Sequence, residues 1–434
     1  MQISATIKQS FPKEVTKANN KWLFRLAVLY LVYNYTKPIL DILSNYNPLT
    51  LYFGRIVGVL LIIQLIFDKK FWSFLQTEKR YVVYIYLFIT VVFISLPFIP
   101  NIYIFFTANR LYEIFSCWIL YMIFMYLSLR DDNGKNFLWL LTGLAILNAL
   151  VGLYGSLTGQ SLLGITRQEV GVGAFGYDPT TGRSGGLRGE NYVGIWNAPA
   201  LAVGFLLLFS KKYKNKALGM AFVIVSSLST IISLSRTSLL CAIIVTILAL
   251  FFLVRNNSYL LVFLFVSLLI FVFSQPLIIK QSSFFSHSVR SDMEKRWSIS
   301  NMIEDERIYI WDEYLKISIK KPIFGHGAGY IEQEISRGNT VPHNSLLDVF
   351  VEHGFSGLLL YVIPFILAVR SIIYFKNRKC QEIYGVFFCI TFFGMAAGLL
   401  TLSNPFLKLV WMVAGSLEGR TILARRAYKR IKYS

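Results

Sequence analysis

Long apolar segments separated by short polar links make up most of the chain. Apolar runs of roughly 18 or more residues recur from Trp22 to Trp411, and each is long enough to cross a hydrocarbon core of about 30 Å as a helix. The predicted spans cover residues 22–40, 49–67, 81–98, 103–128, 136–157, 192–210, 217–234, 238–254, 259–277, 344–370, 383–402 and 404–418. The pattern predicts an all-α, polytopic integral membrane protein with about 12 transmembrane helices, in which residues 1–434 form a single membrane domain.

The positively charged residues orient these spans. Clusters of lysine and arginine lie in alternate links, at 8–21, 69–80, 130–135, 211–216, 370–379 and 420–432. Links rich in lysine and arginine face the cytoplasm, and a single membrane topology places all of these clusters on that side. Both termini are therefore expected in the cytoplasm, with the first span acting as an uncleaved targeting signal.

Composition agrees with a bilayer environment. Of the 434 residues 55% are hydrophobic and 15% are charged, with a mean hydropathy of +0.55, whereas soluble domains carry about 25% charged residues. The net charge of +20 could suggest nucleic acid, but the cytoplasmic clusters account for most of it. We expect anionic membrane lipid as a partner and no nucleic acid. Three cysteines lie in apolar spans and Cys380 in an inward-facing link, so no disulfide is expected.

Two outward-facing links are too long to be simple turns. Residues 159–191 are rich in glycine and include Arg183 and Arg188, and residues 280–343, between predicted helices 9 and 10, include Arg307. Extracytoplasmic links normally lack arginine, so these arginines indicate an anionic ligand. Alternatively, they pair with acidic residues of the same folded loops.

Three short segments carry the candidate chemistry. Arg236 lies between two apolar spans, where an arginine is costly unless it is paired or liganded, although it could also extend to lipid phosphates. The second segment runs from Arg307 to Tyr330 and ends in a glycine-rich stretch. It overlaps residues 302–320, which have the period of an amphipathic surface helix with Arg307 and Trp311 on one face. Asn344 suits a helix cap, which would place His343 against the positive end of a helix.

A histidine in that position can act as a general base. The positive end of a helix favours a neutral imidazole, and a neutral imidazole accepts protons. His343 could instead be a polar anchor at the membrane interface. The four histidines and four cysteines lack zinc-ligand spacing, and no phosphate-binding loop precedes a helix, so neither a metal nor a cofactor is expected.

These segments, in this order, resemble the superfamily of O-antigen ligases and polymerases, which are bacterial membrane glycosyltransferases. The resemblance is closest over about residues 180–360. It rests on Ser-Arg-Thr-Ser-Leu-Leu at 235–240, on Arg307 and Trp311 leading into Pro-Ile-Phe-Gly-His-Gly at 322–327, and on His343-Asn344 followed by Glu-His-Gly-Phe-Ser-Gly at 352–357.

The resemblance implies glycan transfer at the outer leaflet of the bacterial cytoplasmic (inner) membrane. The implied donor is an oligosaccharide linked to undecaprenyl diphosphate, and a chain-length regulator and a flippase are implied partners. Polymerases transfer to another lipid-linked repeat unit, whereas ligases transfer to lipid A core. Some polymerases have an arginine followed after ten residues by glycine, as Arg183 and Gly194 are here, while Ser318 departs from that spacing after Arg307.

Reaction chemistry assigns roles to these residues. We expect Arg236 and Arg307 to hold the diphosphate through bidentate bonds, assisted by Arg183 or Arg188, and His343 to act as base. Trp311 and Asn344 are predicted to bind substrate. A polymerase is favoured over a ligase. A flippase or transporter is a third alternative, but its candidate membrane charges are few: Arg55, Arg110 and Glu113, of which Arg110 and Glu113 could form an i, i+3 pair.

Overall fold

The computed structural model describes residues 21–43, 48–96, 104–158, 176–178, 183–187, 189–210, 212–233, 235–253, 306–336, 338, 340–377 and 382–433. The helices are α1 (Lys21–Leu43), α2 (Pro48–Ile66), α3 (Lys69–Thr77), α4 (Lys79–Ser95), α5 (Ile104–Leu127), α6 (Asp131–Thr158), α7 (Val193–Leu208), α8 (Tyr213–Ile232), α9 (Arg236–Leu253), α10 (Glu306–Lys320), α11 (Tyr330–Ser336), α12 (Ser345–Tyr361), α13 (Ile363–Asn377), α14 (Ile383–Leu399) and α15 (Lys408–Tyr433). Strands β1 (Gly176–Asp178) and β2 (Arg183–Gly186) form an antiparallel hairpin before α7. The predicted span at 259–277, Arg188 and much of both outer loops lie outside the described residues.

The described helices have the character of a polytopic membrane protein. Within the described part of the chain, four stretches are long and apolar enough to cross a bilayer: Phe105–Leu127, Asp132–Thr158, Tyr213–Ile232 and Ser345–Phe375. Shorter apolar helices cover Tyr52–Ile66, Val193–Leu208, Arg236–Phe252 and Ile383–Leu399. The all-α membrane class is confirmed at this level, while the count of about 12 spans stays a prediction.

Two predicted spans differ from the structure. The span at 344–370 consists of α12 and α13, and α12 is itself interrupted at Gly354, whose backbone is not helical (φ 64°, ψ −167°). The span at 404–418 begins at Lys408 and continues to Tyr433. Hydropathy averaged over a long window gives the apolar length of a segment, but it does not show where the backbone inside that segment breaks.

Large apolar side chains cover the outer faces of the helices. On α2, Ile56, Val59 and Ile66 are each more than half exposed. A water-soluble domain rarely leaves such continuous apolar surface uncovered, whereas in a bilayer the lipid chains cover it.

Glycines permit the closest helix pairing in the core. Gly415 and Gly419 on α15 have G-x-x-x-G spacing, and an added Cβ would lie 2.2 Å from the carbonyl oxygens of Tyr121 and Met125 on α5. This close approach of small residues is the usual way in which membrane helices pack. It places α15 against α5 and determines where the loop before α15 lies.

One end of the bundle carries an ion-pair network. Arg426 on α15 bonds Glu78 at 3.2 Å, and Arg425 bonds Glu418 at 3.0 Å. Arg420, also on α15, pairs with Glu382 before α14. The positive-inside pattern places these links on the same side of the membrane, and they do lie together. The short helix α3, capped by Asp68 through bonds from the Lys70 and Phe71 N–H groups, was not predicted.

Candidate active site

A loop at the other end of the bundle, residues 401–404 between α14 and α15, connects the first turns of α9 and α12. The hydroxyls of Thr237 on α9 and Thr401 lie 2.7 Å apart, and the Ser345 hydroxyl on α12 donates to the Leu402 carbonyl at 2.5 Å. Arg236 precedes Thr237, and His343 lies two residues before Ser345. The loop therefore brings the two segments that carry the predicted arginine and the predicted base to the same end of the molecule.

His343 has an unusual backbone. Its φ of 51° makes it the one non-glycine residue in the left-handed region among the residues that the structure describes. Such a conformation is uncommon and costs about 1–3 kcal/mol, and outliers of this kind cluster at functional sites. The predicted cap at Asn344 is confirmed, because its side-chain oxygen accepts from Leu346 N at 3.0 Å and Leu347 N at 3.2 Å.

Helix α10 is docked on the segment that leads into His343. The Trp311 indole donates to the Pro342 carbonyl at 2.6 Å, and the Tyr314 hydroxyl donates to the Thr340 carbonyl at 2.9 Å. Tyr314 also packs with Leu347 and Val351 of α12 in a small separate core. Arg307, half-buried in the first turn of α10, is thereby carried to the same region as His343.

The glycine-rich segment 322–327 pairs with α12 at its interruption. Phe355 N donates to the Pro322 carbonyl at 2.7 Å, and Gly327 N donates to the Glu352 carbonyl at 2.8 Å. A Cβ on Gly354 would lie 2.4 Å from the Ile323 carbonyl carbon, so only glycine fits this contact. The segments 322–327 and 352–357, both of which carried the resemblance, are thus the two halves of one structural junction.

His326, within this junction, is structural. Its Nε2 lies 2.9 Å from the Ile317 carbonyl, and its ring lies over Tyr330 at 4.6 Å. Burial lowers the pKa of the imidazole below its ordinary value, so the ring is neutral at physiological pH.

A buried charge cluster anchors α12 to α5 beside the junction. Arg110 Nε donates to Glu352 at 2.8 Å, its Nη1 donates to Glu113 at 3.0 Å, and its Nη2 lies 3.3 Å from Glu332. The second oxygen of Glu352 accepts from the Gly329 and Ile331 N–H groups at 3.1 and 3.4 Å. Both oxygens are therefore occupied, which makes Glu352 an anchor rather than a base.

The sequence pattern predicts only part of this cluster. The i, i+3 pair of Arg110 with Glu113 is present as predicted. The stronger partner, Glu352, lies 242 residues away in the chain, and no local pattern connects the two residues.

Asp348 is a second candidate base. It lies in the first turn of α12 and is fully buried, and one of its oxygens accepts from the Ser403 hydroxyl at 3.1 Å. The other oxygen has no hydrogen-bond partner among the described residues. A buried carboxylate oxygen without a partner is energetically costly, so Asp348 is a group that a substrate hydroxyl would satisfy.

A buried amide network fixes the hairpin that carries Arg183. The Leu187 N–H donates to Asn148 at 2.7 Å, Asn148 donates to Asn197 at 2.8 Å, and Asn197 donates to Ser229 at 3.0 Å. The network attaches the end of β2 to α6, α7 and α8. It gives the otherwise polar hairpin a defined position at this end of the helices.

Gly194, in the first turn of α7, joins that helix to α9. Its N–H donates to the Ser238 hydroxyl at 2.9 Å, and a Cβ would lie 2.4 Å from the Ser238 Cα. The glycine that follows Arg183 in the predicted spacing thus has a packing role two residues from Arg236. Arg236, Arg307, His343 and Arg183 all lie on segments tied to one end of the molecule, while Arg188 lies outside the described residues.

Comparison with known families identifies the segment that contains most of these residues. Residues 221–362, about a third of the chain, match the family model described as O-antigen ligase. This range includes Arg236, Arg307 and His343, and it agrees with the resemblance inferred from the motifs. A comparison with curated proteins gives no match.

Proposed function

Because residues 221–362 match the family model described as O-antigen ligase, we propose that this protein is a membrane glycosyltransferase that polymerises undecaprenyl-diphosphate-linked repeat units of an O-antigen, capsule or exopolysaccharide. The reaction takes place at the outer leaflet of the cytoplasmic membrane and uses no metal. The observation that carries the proposal is the loop at 401–404, which ties the first turn of α9, beside Arg236, to the first turn of α12, beside His343.

The proposed reaction is a single displacement. His343 takes the proton from an acceptor hydroxyl, whose oxygen forms a bond to the anomeric carbon of the donor sugar. The bond between that carbon and the diphosphate oxygen breaks, and undecaprenyl diphosphate leaves with the electron pair. Arg236 and Arg307, assisted by Arg183 or Arg188, stabilise the negative charge that develops on the leaving group.

The junction described above supports this division of roles. Glu352 is committed to Arg110 and to two backbone N–H groups. His343, just before α12, and Asp348, in its first turn, are therefore our candidate proton acceptors. Trp311 and Asn344 use their polar atoms to fix α10 and α12, so we propose that they contribute to binding by positioning Arg307 and His343.

The test is chain extension by purified protein supplied with lipid-linked repeat units, with products separated on gels. General bases contribute about 10²–10⁴-fold to rate, so His343→Gln should lose activity by that order because glutamine cannot take up the proton. His287→Gln, a histidine of the outer loop with no assigned role, should behave as the parent protein does.

Extension at close to the parent rate by His343→Gln would contradict the assignment, and Asp348→Asn would then be tested. The same preparation also separates the two acceptor classes. A polymerase extends with repeat units alone, whereas a ligase requires lipid A core or a protein acceptor and forms no longer chains without it.

A further inference from the structure

A polar cavity lies beside the candidate active site and is not used by it. It has a volume of about 280 Å³ between α1, α2, α5 and the start of α15. This is close to the lower end of the roughly 300–1,000 Å³ usual for small-molecule sites, so it has room for a headgroup rather than a whole oligosaccharide. The lining residues include Lys37, Arg55, Lys408, Tyr52, Tyr112 and Glu113.

The charges of the lining favour an anionic ligand. Lys37, Arg55 and Lys408 contribute three cations against the single carboxylate of Glu113. That carboxylate already accepts a bond from Arg110 at 3.0 Å. Cations within membrane helices are costly and usually mark a ligand or ion site.

Two of these cations are held by aromatic rings instead of by acids. The Arg55 guanidinium lies 5.5 Å from the Tyr52 ring centre and 5.6 Å from that of Tyr112, and Lys408 Nζ lies 4.9 Å from the Tyr112 ring centre. Neither cation forms an ion pair with any carboxylate that the structure describes. Cation–π contacts position a cation without cancelling its charge, so both remain able to bind phosphate.

The same walls suit a sugar next to the phosphate. Tyrosine rings offer flat apolar faces for sugar C–H groups, and the Asn109 amide, exposed in the cavity wall, offers donors and an acceptor for hydroxyls. Phosphate and sugar adjacent to each other are what the headgroup of a lipid-linked glycan presents.

The cavity is connected to the active site. Lys408 begins α15, four residues after the end of the loop whose Thr401 bonds Thr237 and whose Ser403 bonds Asp348. Glu113 in its wall bonds Arg110, which bonds Glu352 on α12. A headgroup held in the cavity would therefore lie next to the loop that joins Arg236 to His343.

We propose that this cavity is a second headgroup site, which binds the diphosphate and first sugar of the acceptor lipid while Arg236 and Arg307 hold the donor. The inference rests on the proposed polymerase function, because a polymerase uses two lipid-linked substrates and each carries its own diphosphate. Separate groups of cations are required, since two diphosphates repel each other and cannot share one group.

Native mass spectrometry with undecaprenyl diphosphate tests both sites at once. In neutral nanodiscs the parent protein should bind two lipids per chain. The double variant Arg55→Gln/Lys408→Gln should keep one bound lipid. Its affinity for the second lipid should fall by about tenfold or more for each cation removed. The double variant Arg236→Gln/Arg307→Gln should instead lose the lipid that the cavity variant keeps. Arg25→Gln, an exposed arginine over Trp22 on the same helix as Lys37, is the matched control and should keep two.

Two bound lipids in Arg55→Gln/Lys408→Gln overturn the cavity proposal. Two bound lipids in Arg236→Gln/Arg307→Gln overturn the donor assignment instead, so the two failures are distinguishable. Displacement of the cavity-dependent lipid by an equal concentration of phosphatidylglycerol also overturns the proposal, because the site would then accept any anionic lipid.

A crosslinking experiment covers the case in which the double variant does not fold. Benzoylphenylalanine replaces Tyr52, which lines the cavity and is half exposed. It should crosslink to undecaprenyl diphosphate, whereas benzoylphenylalanine at the exposed Trp22 should not. Equal crosslinking at both positions would contradict a specific site.

Discussion

Glu352 lies nine residues after His343, yet the two residues have different roles. Glu352 is fully buried and gives both carboxylate oxygens to the fold, one to Arg110 and the other to backbone N–H groups. His343 lies outside the helix in a strained backbone conformation that the Asn344 cap and the Trp311 bond to Pro342 maintain. The buried charge that stabilises the fold, on Glu352, is therefore separate from the group assigned to the reaction, His343.

Replacement of Glu352 by glutamine should destabilise the protein strongly. Glutamine has one side-chain oxygen and no charge, so it cannot serve Arg110 and the Gly329 N–H together. Removal of one partner of a buried ion pair costs about 3–5 kcal/mol. Glu332→Gln, at a partly exposed and longer contact with Arg110, should cost less, because Glu113 and Glu352 still pair with the arginine. Thermal unfolding in detergent measures both, and equal effects would contradict the anchor role of Glu352.

Substitution of Arg236 or Arg307 by lysine should separate charge from geometry. Lysine keeps the positive charge but loses the planar fork that matches two phosphate oxygens. Polymer yield in cells should fall sharply while protein level is retained, and Arg25→Lys should leave both unchanged. Near-normal polymer from either variant would make that arginine structural.

The elements of this fold are fitted to one another through short contacts at glycines. The segment 322–327 and the interruption of α12 at Gly354 exchange backbone hydrogen bonds that neither could form alone. Helix α11 follows the segment 322–327 in the chain, and the first turns of α12 precede Gly354. The position of His343, which lies between α11 and α12, therefore depends on the junction.

Gly354→Ala should therefore disrupt the junction. The substitution forces a side chain into φ 64° and places Cβ 2.4 Å from the Ile323 carbonyl carbon. The strain alone is worth about 1–3 kcal/mol, so the unfolding temperature should fall and glycan transfer with it. Gly143→Ala is the matched control, since no atom lies within 4 Å of its added Cβ and alanine favours a helix by about 0.5–1 kcal/mol. A stable, active Gly354→Ala protein would contradict the junction.

Across the part of the chain that the structure describes, the ion pairs and the candidate binding groups lie toward two ends of the helix bundle. Ion pairs of Glu78, Glu382 and Glu418 with arginines of α15 lie at one end. The first turns of α9 and α12, the hairpin and the cavity lie at the other. The positive-inside pattern assigns the first end to the cytoplasm, so the active site is expected outside.

Cysteine labelling tests this orientation in a Cys380→Ser background. Ser184→Cys and Ser283→Cys should react with an impermeant thiol reagent in intact cells whose outer membrane, where present, is permeable. Lys214→Cys, exposed in the first turn of α8, should react only after the inner membrane is opened. The reverse pattern would invert the topology and reject an outer-leaflet reaction.

The sequence by itself determined the membrane environment, the fold class and the family resemblance. Apolar runs of membrane length, cytoplasmic clusters of lysine and arginine, and the segments around Arg236, Arg307 and His343 are local features, so they can be found without a structure. The Asn344 cap and most of α10 were predicted for the same reason, since a helix cap and a period of 3.6 residues are local.

Only the tertiary structure decided which distant residues meet. The bond of Arg110 to Glu352, the bridge from Thr237 through the loop at 401–404 to Ser345, and the cavity around Arg55 and Lys408 join residues far apart in the chain. In lipid the helices gain little from hydrophobic association, so close packing at small residues and buried polar contacts determine their arrangement. Those contacts depend on three-dimensional proximity, which hydropathy along a single chain does not encode.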